Sequence, residues 1–188
     1  MQALFVGINP GLRSAAVGHH FAGYSNRFWR LLFESGLVPE PISWADDRRL
    51  PAWGFGLTNV VPRATAGIDA LTPREYAAGA RTLVRKIRRW KPPVVVCVGV
   101  TVFRALFGWK GTVRLGLQPR SIAGAAVFVV PNPSGRNAHH SPRQMRAAFR
   151  ALRRHLTTSA HRSAPPASPA RHRAHPSPRR APISAMLL

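Results

Sequence analysis

The chain has 188 residues, enough for one domain of ordinary size plus an appendage, and 45% of them are hydrophobic, enough to build a real core. No apolar run approaches the roughly 20 residues of a membrane span, which argues against a bilayer-crossing helix. A formal charge of +22, from 28 Lys and Arg against 6 Asp and Glu, makes a polyanion, above all nucleic acid, the expected partner.

In chain order, Leu4-Phe5-Val6-Gly7-Ile8 is a continuous apolar run and predicts a buried strand. It leads into Gly7-Ile8-Asn9-Pro10-Gly11-Leu12. Two Gly and a Pro there fix an unusual backbone path and let a planar ligand approach main-chain amides. Asn9 carries both an acceptor oxygen and a donor NH2, so it can hold a water or bond a base edge. Ser25 is placed to cap a helix over 26–35 that stops at Gly36. Thr72-Pro73-Arg74-Glu75 is a capping box with Pro at the first helical position. The helix it opens sets Tyr76, Ala80, Leu83, Ile87 and Trp90 on one face and ends before Pro92-Pro93.

Val94-Val95-Val96-Cys97-Val98 predicts a second buried strand, and Val127-Phe128-Val129-Val130 a third. Cys97 is the single cysteine, so internal disulfides and thiolate metal clusters are excluded and a reducing cytoplasm is expected. After the third strand comes a polar, basic loop, Asn132-Pro133-Ser134-Gly135-Arg136-Asn137-Ala138-His139-His140. Ser141-Pro142-Arg143-Gln144 then repeats the helix-start signal. Its helix turns Met145, Phe149, Leu152 and Leu156 inward and Arg143, Arg146, Arg150, Arg153 and Arg154 largely outward.

Strands alternating with helices predict an α/β fold over residues 1–156, a three-layer α/β/α sandwich with a central, mainly parallel sheet. Ligands in such sheets bind beyond the carboxyl ends of the strands, where the loops 7–12 and 132–140 both fall. All six carboxylates lie in the first 75 residues, and none follows Glu75. From Thr157 the chain is rich in Pro, Arg, Ser and Ala, which predicts a disordered basic tail over 157–188. The adjacent pairs His19-His20 and His139-His140 lack the spacing of a zinc site, so no metal is expected.

Taken together, Gly7-Ile8-Asn9-Pro10-Gly11-Leu12, Phe21-Ala22 with Asn26-Arg27-Phe28-Trp29, the stretch Gly56–Thr65, and Asn132-Pro133-Ser134-Gly135 closely resemble the mismatch-specific uracil-DNA glycosylase and thymine-DNA glycosylase family. The resemblance runs in order over about residues 3–156. It implies a small α/β/α domain that excises uracil, and in some members thymine or etheno-adducts, from mismatched duplex DNA without metal or cofactor. It implies that Asn9 positions the attacking water and that Phe21 stacks on the flipped base. Ile8, Gly11 and Ser14 become further base contacts. Asn132, Pro133, Ser134 and Gly135 become DNA contacts, and Arg136 stands where some members carry an apolar wedge. Asn137, His139 and His140 share that region.

The residues leave two other readings open. One is a glycosylase for another deaminated base, such as hypoxanthine or xanthine, and the other a lesion-binding protein without catalysis. Lys86, Lys91 and Lys110 are the possible Schiff-base nucleophiles, and none lies in these motifs, so a monofunctional enzyme is expected. The remaining expectations are a monomer acting on double-stranded DNA, free of membrane, in the cytoplasm with the nucleoid.

Overall fold

The computed structural model describes residues 1–163. Its five strands are β1 (Ala3–Gly7), β2 (Phe55–Asn59), β3 (Val94–Val98), β4 (Gly116–Ile122) and β5 (Ala125–Val130). They form one sheet in the order β2-β1-β3-β5-β4. The first four in that order are parallel, and β4 runs antiparallel to β5 at the edge.

Strand alternation divides the core into two layers. A short helix, α1 (Leu12–Val17), follows β1; Ala3, Phe5, Val94, Val96, Val98, Phe128 and Val130 face α2 (Phe28–Glu34) and α5 (Pro142–Ser163), where Phe28, Leu32, Met145, Phe149 and Leu152 are buried. Leu4, Val6, Val95, Cys97, Val127 and Val129 face the other side, against Leu83 and Ile87 of α3 (Pro73–Trp90) and Val102 and Phe103 of α4 (Val100–Phe107). The continuous apolar runs therefore mark strands covered on both faces, as their composition predicts. Both expected capping boxes form. Thr72 Oγ1 accepts from the Glu75 N–H and Ser141 Oγ from the Gln144 N–H, while each carboxylate or amide reaches back to the cap N–H.

Several local expectations are corrected. The first long helix begins at Phe28, not at 26, because Asn26 Oδ1 accepts the Phe28 N–H and Ser25 is pressed instead against Gly135. Trp90 is 42% exposed rather than inward, since α3 turns its buried face through Gly79, Leu83 and Ile87. Gly79 is buried because the Val60 backbone occupies the place of a side chain. β2 and β4 were not expected as strands: Phe-Gly-Leu-Thr-Asn and Gly-Leu-Gln-Pro-Arg-Ser-Ile lack both a continuous apolar run and clean alternation. Finally, α5 continues past Thr157 to Ser163, so helix replaces the tail there, and the rest of the expected tail lies outside the described residues.

Candidate active site

From β1 the chain passes to β2 on one side and β3 on the other, so a crevice opens beyond their carboxyl ends. A cleft of about 1130 Å³ lies there, lined by residues 7–14 from the end of β1 onward, Asn59 at the end of β2 and Pro62 beyond it, residues 98–101 from the end of β3 onward, and Pro131 and Asn132 after β5. Gly99 stands at φ +108, and a β-carbon on it would come 3.2 Å from Asn132 Cβ, so close approach of two strand-end loops requires glycine there.

Asn9 sits in this cleft with its amide end fixed. Nδ2 donates to Thr65 Oγ1 at 2.7 Å, to the Arg63 carbonyl at 3.0 Å and to the Pro10 carbonyl at 3.2 Å. Two of those partners are carbonyls, which only accept, so they decide which end of the amide is nitrogen. Thr65 Oγ1 in turn donates to the Gly67 carbonyl at 2.7 Å, so its lone pair faces Asn9. Oδ1 of Asn9 is left without a protein partner among the described residues. The ring of contacts thus orients an acceptor and spends the donors elsewhere.

Arg63 is itself held by Glu75, whose carboxylate accepts from Arg63 Nε at 2.6 Å and Nη2 at 3.0 Å. The Arg63 guanidinium first, and the Thr72 N–H second, hold the Glu75 carboxyl down at about 2. The start of α3 and the orientation of Asn9 are thereby joined through one residue.

Phe21 lines the cleft at φ +52, a left-handed conformation that is uncommon for a bulky residue. Its neighbours impose it. The His20 carbonyl accepts from Trp29 Nε1 at 3.1 Å, the Ala22 N–H donates to Ser14 Oγ at 3.0 Å, and Arg13 Nε donates to the Ala22 carbonyl at 2.7 Å. The Phe21 ring stacks on Phe28, centroids 4.1 Å apart and 26° between planes. His19 Nδ1 meets Asp47 at 3.0 Å, and His20 lies 3.7 Å from the same carboxylate. Burial lowers the His20 pKa, and the Asp47 charge offsets only part of that.

A model of the uracil DNA glycosylase superfamily matches residues 1–156. The chain belongs to that superfamily. It is therefore a DNA glycosylase, a hydrolase of DNA repair acting on damaged bases, and DNA is its partner. The α/β sandwich is the superfamily's fold, and among the described residues no helix is long and apolar enough to cross a membrane.

The cleft of this glycosylase gathers Ile8, Asn9, Gly11, Ser14 and Phe21 with Asn132, Ser134, Arg136, Asn137, His139 and His140. Several are committed to holding the loops. Ser14 is buried with its hydroxyl on the Ala22 N–H, so it shapes the Phe21 turn. The Ile8 carbonyl accepts from the Val61 N–H at 2.8 Å. Asn132 Oδ1 accepts the Ser134 N–H at 3.0 Å, and Asn137 bridges the Asn132 carbonyl and the His139 N–H. Pro133 and Gly135 stand behind the lining: Pro133 is buried with its carbonyl on the Arg27 N–H, and Gly135 abuts Ser25. Arg136 is exposed and reaches across the cleft to the Ala66 carbonyl at 3.3 Å.

Residue-by-residue reading of the sequence missed Thr65, Arg63, Asn59, Asp47 and Asp69. Asn59, Arg63 and Thr65 fall in the stretch 56–65 that carries the family resemblance, which is their only signal. Asp69 is a carboxylate that lines the cleft. Lys86, by contrast, lies outside the lining and donates to Thr58 Oγ1 at 3.1 Å.

Proposed function

We propose that this glycosylase is monofunctional and excises uracil from mismatched duplex DNA, as a relative of the mismatch-specific and thymine-DNA glycosylases. Thymine and etheno-adducts are its secondary substrates. The observation that carries the reading is the fixed amide of Asn9, which leaves an acceptor oxygen in the cleft at the carboxyl ends of the strands.

A base inside a duplex is out of reach of these groups, so the nucleotide rotates out of the stack and into the cleft. Phe21, backed by Phe28, offers its ring to the base; such stacking contributes about 1–3 kcal/mol. Asn9 Oδ1 accepts a hydrogen bond from the attacking water. An amide takes no proton as a carboxylate does, so water activation is weak. The glycosidic bond breaks ahead of attack, and fixed dipoles around Ile8 and Gly11 stabilise the departing base anion. Slow turnover follows. The abasic product stays intact because Lys86, Lys91 and Lys110 all lie outside the cleft lining. Arg136 enters the gap left in the stack, where its planar guanidinium can stack and bond the widowed base.

The test uses labelled duplexes with U·G, U·A, T·G, hypoxanthine or ethenocytosine, incubated with protein and then treated with alkali. Alkali-dependent cleavage strongest on U·G is expected, with loss of at least about 100-fold in Asn9→Ala. Preference for hypoxanthine would move the reading to another deaminated base, and no cleavage of any duplex would sink it.

A further inference from the structure

We propose that Tyr24 stacks on a nucleobase of the bound duplex beside the flipped nucleotide, as a second aromatic contact at the rim of the cleft. This rests on the glycosylase reading above and adds a residue outside the motifs that support it.

Tyr24 is 89% exposed, more than any other large apolar side chain among the described residues. Its neighbours Gly23, Ser25 and Asn26 line the cleft, which puts Tyr24 at the edge. The same segment is clamped to the Arg136 loop: the Arg27 N–H donates to the Pro133 carbonyl at 2.9 Å, and Ser25 abuts Gly135. Tyr24 and Arg136 are thus each one residue from a shared contact, on adjoining parts of one rim.

The ring is held despite its exposure. The Arg13 guanidinium carbon lies 3.6 Å from its centroid, and Arg13 is anchored by its Nε on the Ala22 carbonyl at 2.7 Å. A cation therefore backs one face of the ring, and the opposite face is open to a planar partner. The flanking Gly23, Ser25 and Asn26 give no apolar surround such as a protein interface has at its centre. An isolated aromatic plane beside positive charge matches a nucleobase, and rotation of a nucleotide out of the stack leaves the faces of its two neighbours bare.

The experiment measures binding of the full chain, by fluorescence anisotropy, to a duplex carrying a stable abasic-site analogue opposite guanine. Tyr24→Ala should weaken binding by about 5- to 150-fold, the span of one base–aromatic stack. Tyr24→Phe and Tyr24→Trp should bind like wild type, since the plane and not the hydroxyl makes the contact. The dependence on salt should keep its slope in Tyr24→Ala, because no phosphate contact is lost. Equal melting temperatures check that the exposed substitution leaves the fold intact. Wild-type binding by Tyr24→Ala, loss in Tyr24→Phe equal to that in Tyr24→Ala, or a flattened salt slope would each overturn the assignment. If the wild-type chain excises uracil and Tyr24→Ala binds unchanged, the Tyr24 assignment alone falls. If the wild type neither excises nor binds, the glycosylase reading falls first and takes Tyr24 with it.

Discussion

Replacing Thr65 with Val tests the hydrogen-bond ring around Asn9 while keeping the shape of a side chain that is only 6% exposed. Two bonds disappear, from Asn9 Nδ2 at 2.7 Å and to the Gly67 carbonyl at 2.7 Å. A typical intramolecular hydrogen bond contributes about 0.5–1.5 kcal/mol net, so the folded state should lose roughly 1–3 kcal/mol. The effect on the reaction is separate. Asn9 still meets the Arg63 and Pro10 carbonyls, which oppose a flipped amide, so the acceptor stays in the cleft but less firmly. Losing about 1–2 kcal/mol of positioning slows the chemical step about 5- to 30-fold. Single-turnover excision from a U·G duplex with enzyme in excess reads this directly, alongside the affinity for an abasic-site duplex. The expected result is a slower step with unchanged affinity and a fall well short of that in Asn9→Ala. A wild-type rate in Thr65→Val, or a loss confined to affinity, would refute the claim that Thr65 orients Asn9.

The other predictions concern the surrounding shell. Gly79→Ala should lower stability by about 1–3 kcal/mol, read by denaturant unfolding, because its β-carbon would press into the Val60 backbone, 2.9 Å from the carbonyl carbon. Phe21→Ala should weaken uracil excision. Phe21→Gly should be the more stable of the two by about 1 kcal/mol, since residue 21 is held at φ +52 and only glycine adopts it freely. Glu75 has its folded pKa lowered from 4.5 to about 2, so its contribution is present above pH 4.5 and lost as pH falls toward 2. The melting-temperature gap between wild type and Glu75→Gln should accordingly be open near neutrality and close in acid. His20, with its pKa lowered by burial, binds a proton more readily when unfolded; its contribution to stability is present above pH 6.5 and lost below it. In His20→Gln, the acid destabilisation that begins below that point should be smaller.

Much of this protein is legible in its sequence, and the reason is range. The apolar runs at Leu4–Ile8, Val94–Val98 and Val127–Val130 declare buried strands because each residue's environment repeats along a few positions. Thr72–Glu75 and Ser141–Gln144 declare helix starts because a cap and its partner are three residues apart. The loop 7–12 and its Asn9 stood out for similar local reasons, reinforced by the order of the family's segments. Edge strands were harder to read: β2 and β4 are paired on one side only, so the pressure that makes a strand uniformly apolar is weaker on them.

What tertiary structure alone decided is which way the functional groups point. Asn9 has two acceptors in its side chain's reach from Arg63 and Thr65, 54 and 56 residues away, and no local pattern encodes that meeting. Ser14 lines the cleft and also holds the Phe21 turn through its hydroxyl, and Ser25 packs against Gly135 where a helix cap was expected. Sequence spacing reveals what a segment can form by itself. A buried or half-buried polar group takes whatever partner the packed chain brings within 3 Å, because leaving it unpaired costs more than any local preference returns.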